Sequence, residues 1–163
     1  MIVKDVMTTR IKTVSPDSAL RDAATLLGFY HISGLPVITE DGTLVGLISE
    51  KDILRAFYPK IDNAIELAAA VEFGDLDVEF RDAMDSPVRN WMTTHVFTVG
   101  PNEPILRAAA IMIAHKVRRV PVTTGKILVG LLSIGDVHKA VLKETFDRKL
   151  GQSGAISHLK PRS

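Results

Sequence analysis

The sequence contains no cysteine, which excludes disulfides, thiol chemistry and cysteine-ligated metal and suits a reducing compartment. Net charge is also nearly absent. Twenty lysines and arginines face 19 acids, for a formal charge of +1, so no global field draws the protein toward nucleic acid or a membrane surface. No apolar run approaches the roughly 18 to 20 residues that span a bilayer. The start, Met1-Ile2-Val3-Lys4-Asp5, lacks the basic segment and apolar stretch of a signal peptide. The expectation is a soluble cytoplasmic protein with neither nucleic acid nor membrane as partner. No glycine-rich phosphate loop, catalytic triad or acid–base carboxylate pair stands out, so no residue is nominated for catalysis and no enzyme is expected. His95, His138 and His158 are scattered without metal-ligand spacing, so no metal site is expected either.

What the chain does contain is a repetition. Met7-Thr8-Thr9 recurs as Met92-Thr93-Thr94, an offset of 85, and Thr13-Val14, Pro16, Ala23-Ala24 and Pro36-Val37 recur at the same offset. The offset then falls to 84 for Val45-Gly46-Leu47, Ser49 and Asp52, which reappear as Val129-Gly130-Leu131, Ser133 and Asp136. The lost residue lies near Glu40-Asp41-Gly42 in one copy and Gly125-Lys126 in the other, turn signals where a length change is tolerated. Each copy is too small to build a large core alone. Two similar halves packed around a pseudo-twofold axis are expected. The boundaries read as 1–57 for the first repeat, 58–87 for a connecting helical segment, 88–148 for the second repeat and 149–163 for a disordered tail.

Within each copy the pattern reads strand, helix, strand, strand, helix, a mixed α/β (α+β) class. Residues 3–8 suggest a short helical lead-in and Ile11 to Val14 a brief strand. Ser18 is placed to cap a helix over 19–30 with Leu20, Ala23, Ala24 and Leu27 on its buried face; Ile105, Ala108, Ala109 and Met112 repeat that face. Leu35 to Thr39 and Thr43 to Ser49 read as a hairpin around Asp41-Gly42, followed by a helix over 50–57. Helices are also expected over 63–73 and 76–84. Met7 and Met92 read as core filler, and Trp91 as a packing residue at the junction.

Gly46-Leu47-Ile48-Ser49-Glu50-Lys51-Asp52 and Gly130-Leu131-Leu132-Ser133-Ile134-Gly135-Asp136 each follow an apolar run. A buried strand thus ends at a serine and turns into a helix. The serine–aspartate spacing matches a helix capping signature. The same junction gathers a hydroxyl, a carboxylate and free backbone N–H groups, which suit a phosphorylated ligand. Both roles can coexist.

The element order, the duplication and the Gly-h-h-Ser-x-x-Asp ends resemble cystathionine β-synthase-type (CBS) domains over residues 3–57 and 88–143. Asp5-Val6-Met7-Thr8, Gly34-Leu35-Pro36-Val37, Trp91-Met92-Thr93 and Arg119-Val120-Pro121-Val122 carry the likeness together with the two junctions. The resemblance implies a tandem module with two symmetry-related clefts for an adenosine compound: AMP, ADP, ATP or S-adenosylmethionine. It implies that the aspartate holds the ribose hydroxyls, that the serine lies near the phosphates, and that the first strand and the Pro-Val step sandwich the adenine. Carried over, the binding residues are Thr13, Val14, Pro36, Val37, Ser49 and Asp52 in the first copy, and Thr98, Val99, Pro121, Val122, Ser133 and Asp136 in the second. Arg118 and Arg119, where the first copy has Ser33-Gly34, are suited to bidentate phosphate contacts, although cations at a helix end also favour its dipole. His115 and Lys116 extend that basic run. The expectation is a regulatory sensor that forms a homodimer and signals to a partner in trans, with no cofactor. The alternative is a dimerisation scaffold whose clefts are empty or sealed.

Overall fold

The computed structural model describes the backbone of residues 1–57 and 77–156. It is a mixed helix-and-strand fold. In chain order it comprises α1 (Leu20–Tyr30), β1 (Gly34–Ile38), β2 (Leu44–Ser49), α2 (Glu50–Phe57), α3 (Asp77–Asp85), α4 (Ile105–Ala114), β3 (Arg119–Thr124), β4 (Ile127–Ser133) and α5 (Ile134–Ile156). Short 3-10 turns at Val3–Asp5 and Val88–Asn90 form the two lead-ins. The helix expected over 63–73 lies outside the described residues. The expected helix over 76–84 is present as α3, whose Met84 packs into a core with α1 and α2.

The chain forms two compact units, and they do not follow the chain order of the repeats. One contains the described parts of Arg10–Phe97 together with Thr123–Leu128; it is called the Asp52 unit below. The other, the Asp136 unit, contains Met1–Thr9, Thr98–Val122 and the described chain from Val129 onward. The lead-ins are therefore exchanged. Val3 belongs to the core of Val99, Ile105, Ala108, Met112, Val120, Val122, Leu132 and Val137. Val88, its counterpart, belongs to the core of Val14, Leu20, Ala23, Leu27, Leu35, Val37, Ile48 and Ile53. The nine positions named in each core correspond one to one, as duplicated apolar patterns should, and the Asp52 unit adds Ala56 and Met84. Each fully buried aliphatic side chain contributes about 1.5–3 kcal/mol.

Backbone hydrogen bonds fix the exchange. In the Asp52 unit Val88 N–H donates to the Ser18 carbonyl at 2.8 Å, Arg89 N–H to Pro16 at 3.0 Å and Leu20 N–H to Ser86 at 2.9 Å. In the Asp136 unit Val3 N–H donates to Glu103 at 2.9 Å and Lys4 N–H to Pro101 at 2.8 Å. These contacts correct the expected role of Ser18. Its side chain does not cap α1; the N-cap is Ala19, without a side-chain cap. The lead-in supplies a carbonyl to Leu20 N–H instead, so a free N–H at the helix start is satisfied by backbone.

The hairpins follow the alternating apolar pattern. In β1–β2, Gly34 faces Ser49 and Val37 faces Gly46, but Ile38 faces Leu44, so Val45 is the extra residue of a bulge. This irregularity falls inside the interval where the repeat offset changes. Gly42 closes the turn at φ +84°, a left-handed conformation that glycine adopts at no steric cost. The strand expected at Ile11 to Val14 is reduced to one parallel bridge, Val14 to Val37, and Val99 to Val122 repeats it. Ser15-Pro16 stops the chain before a second rung can form. At the other end α5 runs on to Ile156, through Gly151 and Gly154 and past the expected start of a disordered tail at 149. Extending a formed helix adds a hydrogen bond per residue, and each glycine costs only about 1 kcal/mol. Among the described residues no helix is long and apolar enough to cross a membrane.

Candidate ligand-binding site

Each unit presents one strand-to-helix junction, built from three backbone links. Val14 N–H donates to the Pro36 carbonyl at 3.1 Å and Ile38 N–H to the Val14 carbonyl at 3.0 Å, which ties Thr13-Val14 to the Pro-Val step. Glu50 N–H, at the start of α2, donates to the Ser33 carbonyl at 3.2 Å. The third link is crosswise. Leu47 and Thr93 exchange hydrogen bonds of 2.9 and 2.8 Å, and Thr8 and Leu131 exchange two of 2.9 Å. The two motifs that stand out in the sequence, Met-Thr and Gly-Leu, thus bind each other, each lead-in lying on the other copy's strand.

This explains the glycine of each junction. A Cβ on Gly46 would stand 2.7 Å from Met92 Sδ and 2.9 Å from the Thr93 carbonyl oxygen, and one on Gly130 would overlap the Met7 sulfur. Met92 and Met7 pack against the cores at these places, as filler residues do.

The serine and aspartate interlock in both copies. Ser49 Oγ donates to Asp52 Oδ2 at 2.7 Å, Ser49 N–H donates to the same oxygen at 2.9 Å, and Asp52 N–H returns to Ser49 Oγ at 3.4 Å. In the second copy the corresponding distances are 2.6, 3.0 and 3.2 Å. This is the reciprocal capping arrangement. It uses one carboxylate oxygen of each aspartate and leaves the other available.

The copies differ at that second oxygen. Asp52 Oδ1 accepts a hydrogen bond from Arg55 Nη2 at 3.1 Å, and the same nitrogen donates to the Trp91 carbonyl at 3.1 Å. Trp91 Nε1–H is held by Ser86 Oγ at 2.7 Å, and the ring packs against the core. Asp52 is 7% exposed. At the equivalent of Arg55 the second copy has Lys139, and Asp136 Oδ1 accepts no hydrogen bond from any described residue. Asp136 instead lines a hollow of about 400 Å³ together with Met1, Asp5, Val6, Lys139, Ala140 and Lys143.

The other expected residues are distributed as follows. Val14, Pro36 and Val37 in one unit, and Val99, Pro121 and Val122 in the other, have their side chains enclosed in the cores. Thr13 is half-buried and Thr98 exposed. Arg118 lends its carbonyl to Ile134 N–H at 3.0 Å, which sets the Arg118-Arg119 backbone at the start of α5 beside Ser133. Arg118 is exposed and Arg119 half-buried, and neither has an ion-pair partner among the described residues. No group of metal-ligating side chains occurs among the described residues. Sequence reasoning missed Arg55, although its spacing of three from Asp52 on a helix is a readable ion-pair signal. It also missed Lys139 and Lys143, which only the hollow brings to notice.

Comparison with known proteins places this geometry in context. The sequence model of the CBS domain matches residues 3–59 and 88–143. The chain is 31% identical over 135 residues to the CBS domain-containing protein YhcV of Bacillus subtilis, covering 83% of this chain and 81% of that protein. Among solved structures, CBSX2 in complex with AMP superposes with a TM-score of 0.69 at 29% identity, covering 88% of this chain and 98% of that one. The CBS domain pair of protein MJ0100, in complex with 5'-methylthioadenosine and S-adenosyl-L-methionine, superposes with a TM-score of 0.65 at 25% identity, covering 86% and 99%.

Proposed function

The chain belongs to the CBS domain family, with two repeats in tandem, and on that premise we propose that it is a regulatory module, not an enzyme, that binds an adenosine-containing ligand. AMP, ADP, ATP and S-adenosylmethionine are the candidates. The observation that carries this reading is Asp136, whose Oδ1 accepts no hydrogen bond from any described residue and which lines a hollow, in a module whose structural relatives were solved with AMP and with S-adenosyl-L-methionine. One carboxylate oxygen can accept from a ribose hydroxyl while its neighbour keeps the helix capped. Arg118 and Arg119, without an ion-pair partner among the described residues, are suited to a ligand's phosphates. In the Asp136 unit the enclosed Pro121-Val122 step is the apolar element suited to adenine. The module acts as a cytoplasmic homodimer and signals to a partner protein in trans, through the difference in ligand affinity between two states of the module.

The test is a panel of adenine compounds followed by calorimetry and thermal denaturation. A true ligand raises the melting temperature by mass action. No heat and no shift with any of the four at millimolar concentration removes the reading. A scaffold role is favoured by one observation, the engagement of both Asp52 oxygens by Ser49 and Arg55. In that case the protein dimerises with unchanged affinity whether or not adenine compounds are present.

A further inference from the structure

The two aspartates differ in a way the duplicated sequence does not announce. We infer that Arg55 closes the first-copy site on itself, so that the protein takes one ligand per chain, at Asp136; this rests on the adenosine-ligand reading above. Asp52 has no unengaged carboxylate oxygen. Ser49 holds Oδ2 from its hydroxyl and its backbone N–H, and the Arg55 guanidinium holds Oδ1 at 3.1 Å. The arginine is itself fixed at a second point, the Trp91 carbonyl. A ribose hydroxyl is a neutral donor, and at Oδ1 it competes with a guanidinium that is already in place and carries a full charge. The Asp52 side chain is only 9% exposed, and Arg55 reaches it from the surface with 60% of its own side chain exposed.

At Asp136 each of these obstacles is missing. Lys139 replaces Arg55 and forms no ion pair with Asp136. Val6 stands where the other unit has Trp91, and a hollow of about 400 Å³ opens beside the carboxylate. Arg118 and Arg119 belong to this unit, whereas the first copy has Ser33 and Gly34 in their place. Among the described residues a carboxylate oxygen without a donor and a hollow lined by the same aspartate occur together at Asp136, in the unit that also carries Arg118 and Arg119.

Isothermal titration of the full chain with AMP, and in parallel with S-adenosylmethionine, tests this through stoichiometry. The wild type is expected to bind one ligand per chain. Arg55→Ala and Arg55→Gln are expected to add a second site, and adding Asp52→Asn to either should remove that second site again. Arg55 is exposed at the surface, and an unchanged circular-dichroism spectrum with a single cooperative unfolding transition confirms that the two single variants keep the fold. A wild-type stoichiometry of two, or Arg55 variants that remain at one, overturns the closure and leaves the ligand reading standing. An absence of binding to the wild type overturns both.

Discussion

Thr8 and Leu131 exchange both of their backbone hydrogen bonds at 2.9 Å, although more than 120 residues separate them in the chain. This rung holds the lead-in of one repeat on the strand of the other, and Gly130 beside it leaves room for Met7. Gly46, Met92 and Thr93 form the matching contact. A methyl group at either glycine overpacks the contact, at a cost of about 1–3 kcal/mol. The two sites should respond differently to rescue. The atoms met at Gly130 belong to the flexible Met7 side chain, whereas at Gly46 the Thr93 carbonyl oxygen also obstructs. Met7→Ala is expected to restore much of the stability lost in Gly130→Ala, and Met92→Ala to restore less of that lost in Gly46→Ala. Urea denaturation of the four single variants and two pairs measures this. Equal rescue would contradict the backbone clash at Gly46.

The serine caps are a separate contribution. Ser49→Ala and Ser133→Ala each remove a hydroxyl that both accepts from and donates to its aspartate. Each is expected to lower stability by about 1 kcal/mol, the usual cost of losing an N-cap side chain. Chemical denaturation reads this directly. No loss at either site would mean that the carboxylate alone caps the helix.

His31 and Lys116 occupy equivalent positions just after α1 and α4 and both adopt left-handed backbone, at φ 51° and 54°. Side chains disfavour this region and glycine does not. His31→Gly and Lys116→Gly should each raise stability by roughly 0.5–1 kcal/mol, the relief of strain exceeding the extra freedom glycine gives the unfolded chain. Thermal denaturation of each variant checks the sign.

Asp41 gives a pH-dependent prediction. The hydroxyl of Thr39, first, and then the hydroxyl and N–H of Thr43 hold its carboxyl below the ordinary carboxylate range. A carboxyl lowered in the folded state favours folding above its unfolded pKa, and that contribution is lost as pH falls through the folded value. Asp41→Asn should therefore destabilise the hairpin at neutral pH and become neutral in strong acid. A stability difference that stays constant from pH 7 to pH 2 would contradict the assignment.

The duplicated cores were legible because burial follows local periodicity. Leu20, Ala23 and Leu27 repeat as Ile105, Ala108 and Met112 and are buried in both units. The hairpin and the start of α2 were legible because Asp41-Gly42 and Ser49 are local signals. The exchange of lead-ins was not, since the pairings of Thr8 with Leu131 and of Thr93 with Leu47 join distant segments through backbone atoms that carry no side-chain signature. For the same reason Ser18 looked like a cap while the Ser86 carbonyl meets the helix start. Ser49–Asp52 and Ser133–Asp136 looked equivalent because their motifs are. Their difference lies one helical turn onward, in Arg55 and Lys139, and in what Trp91 and Val6 place beside them.

Calorimetric titration of AMP into the wild type and into Asp136→Asn tests the central claim most directly. Asparagine keeps an acceptor for the helix cap but removes the charge that would hold ribose. The account predicts unchanged folding and an affinity reduced roughly tenfold to a hundredfold, the usual worth of a hydrogen bond to a charged group. Equal affinity in the two proteins would contradict it.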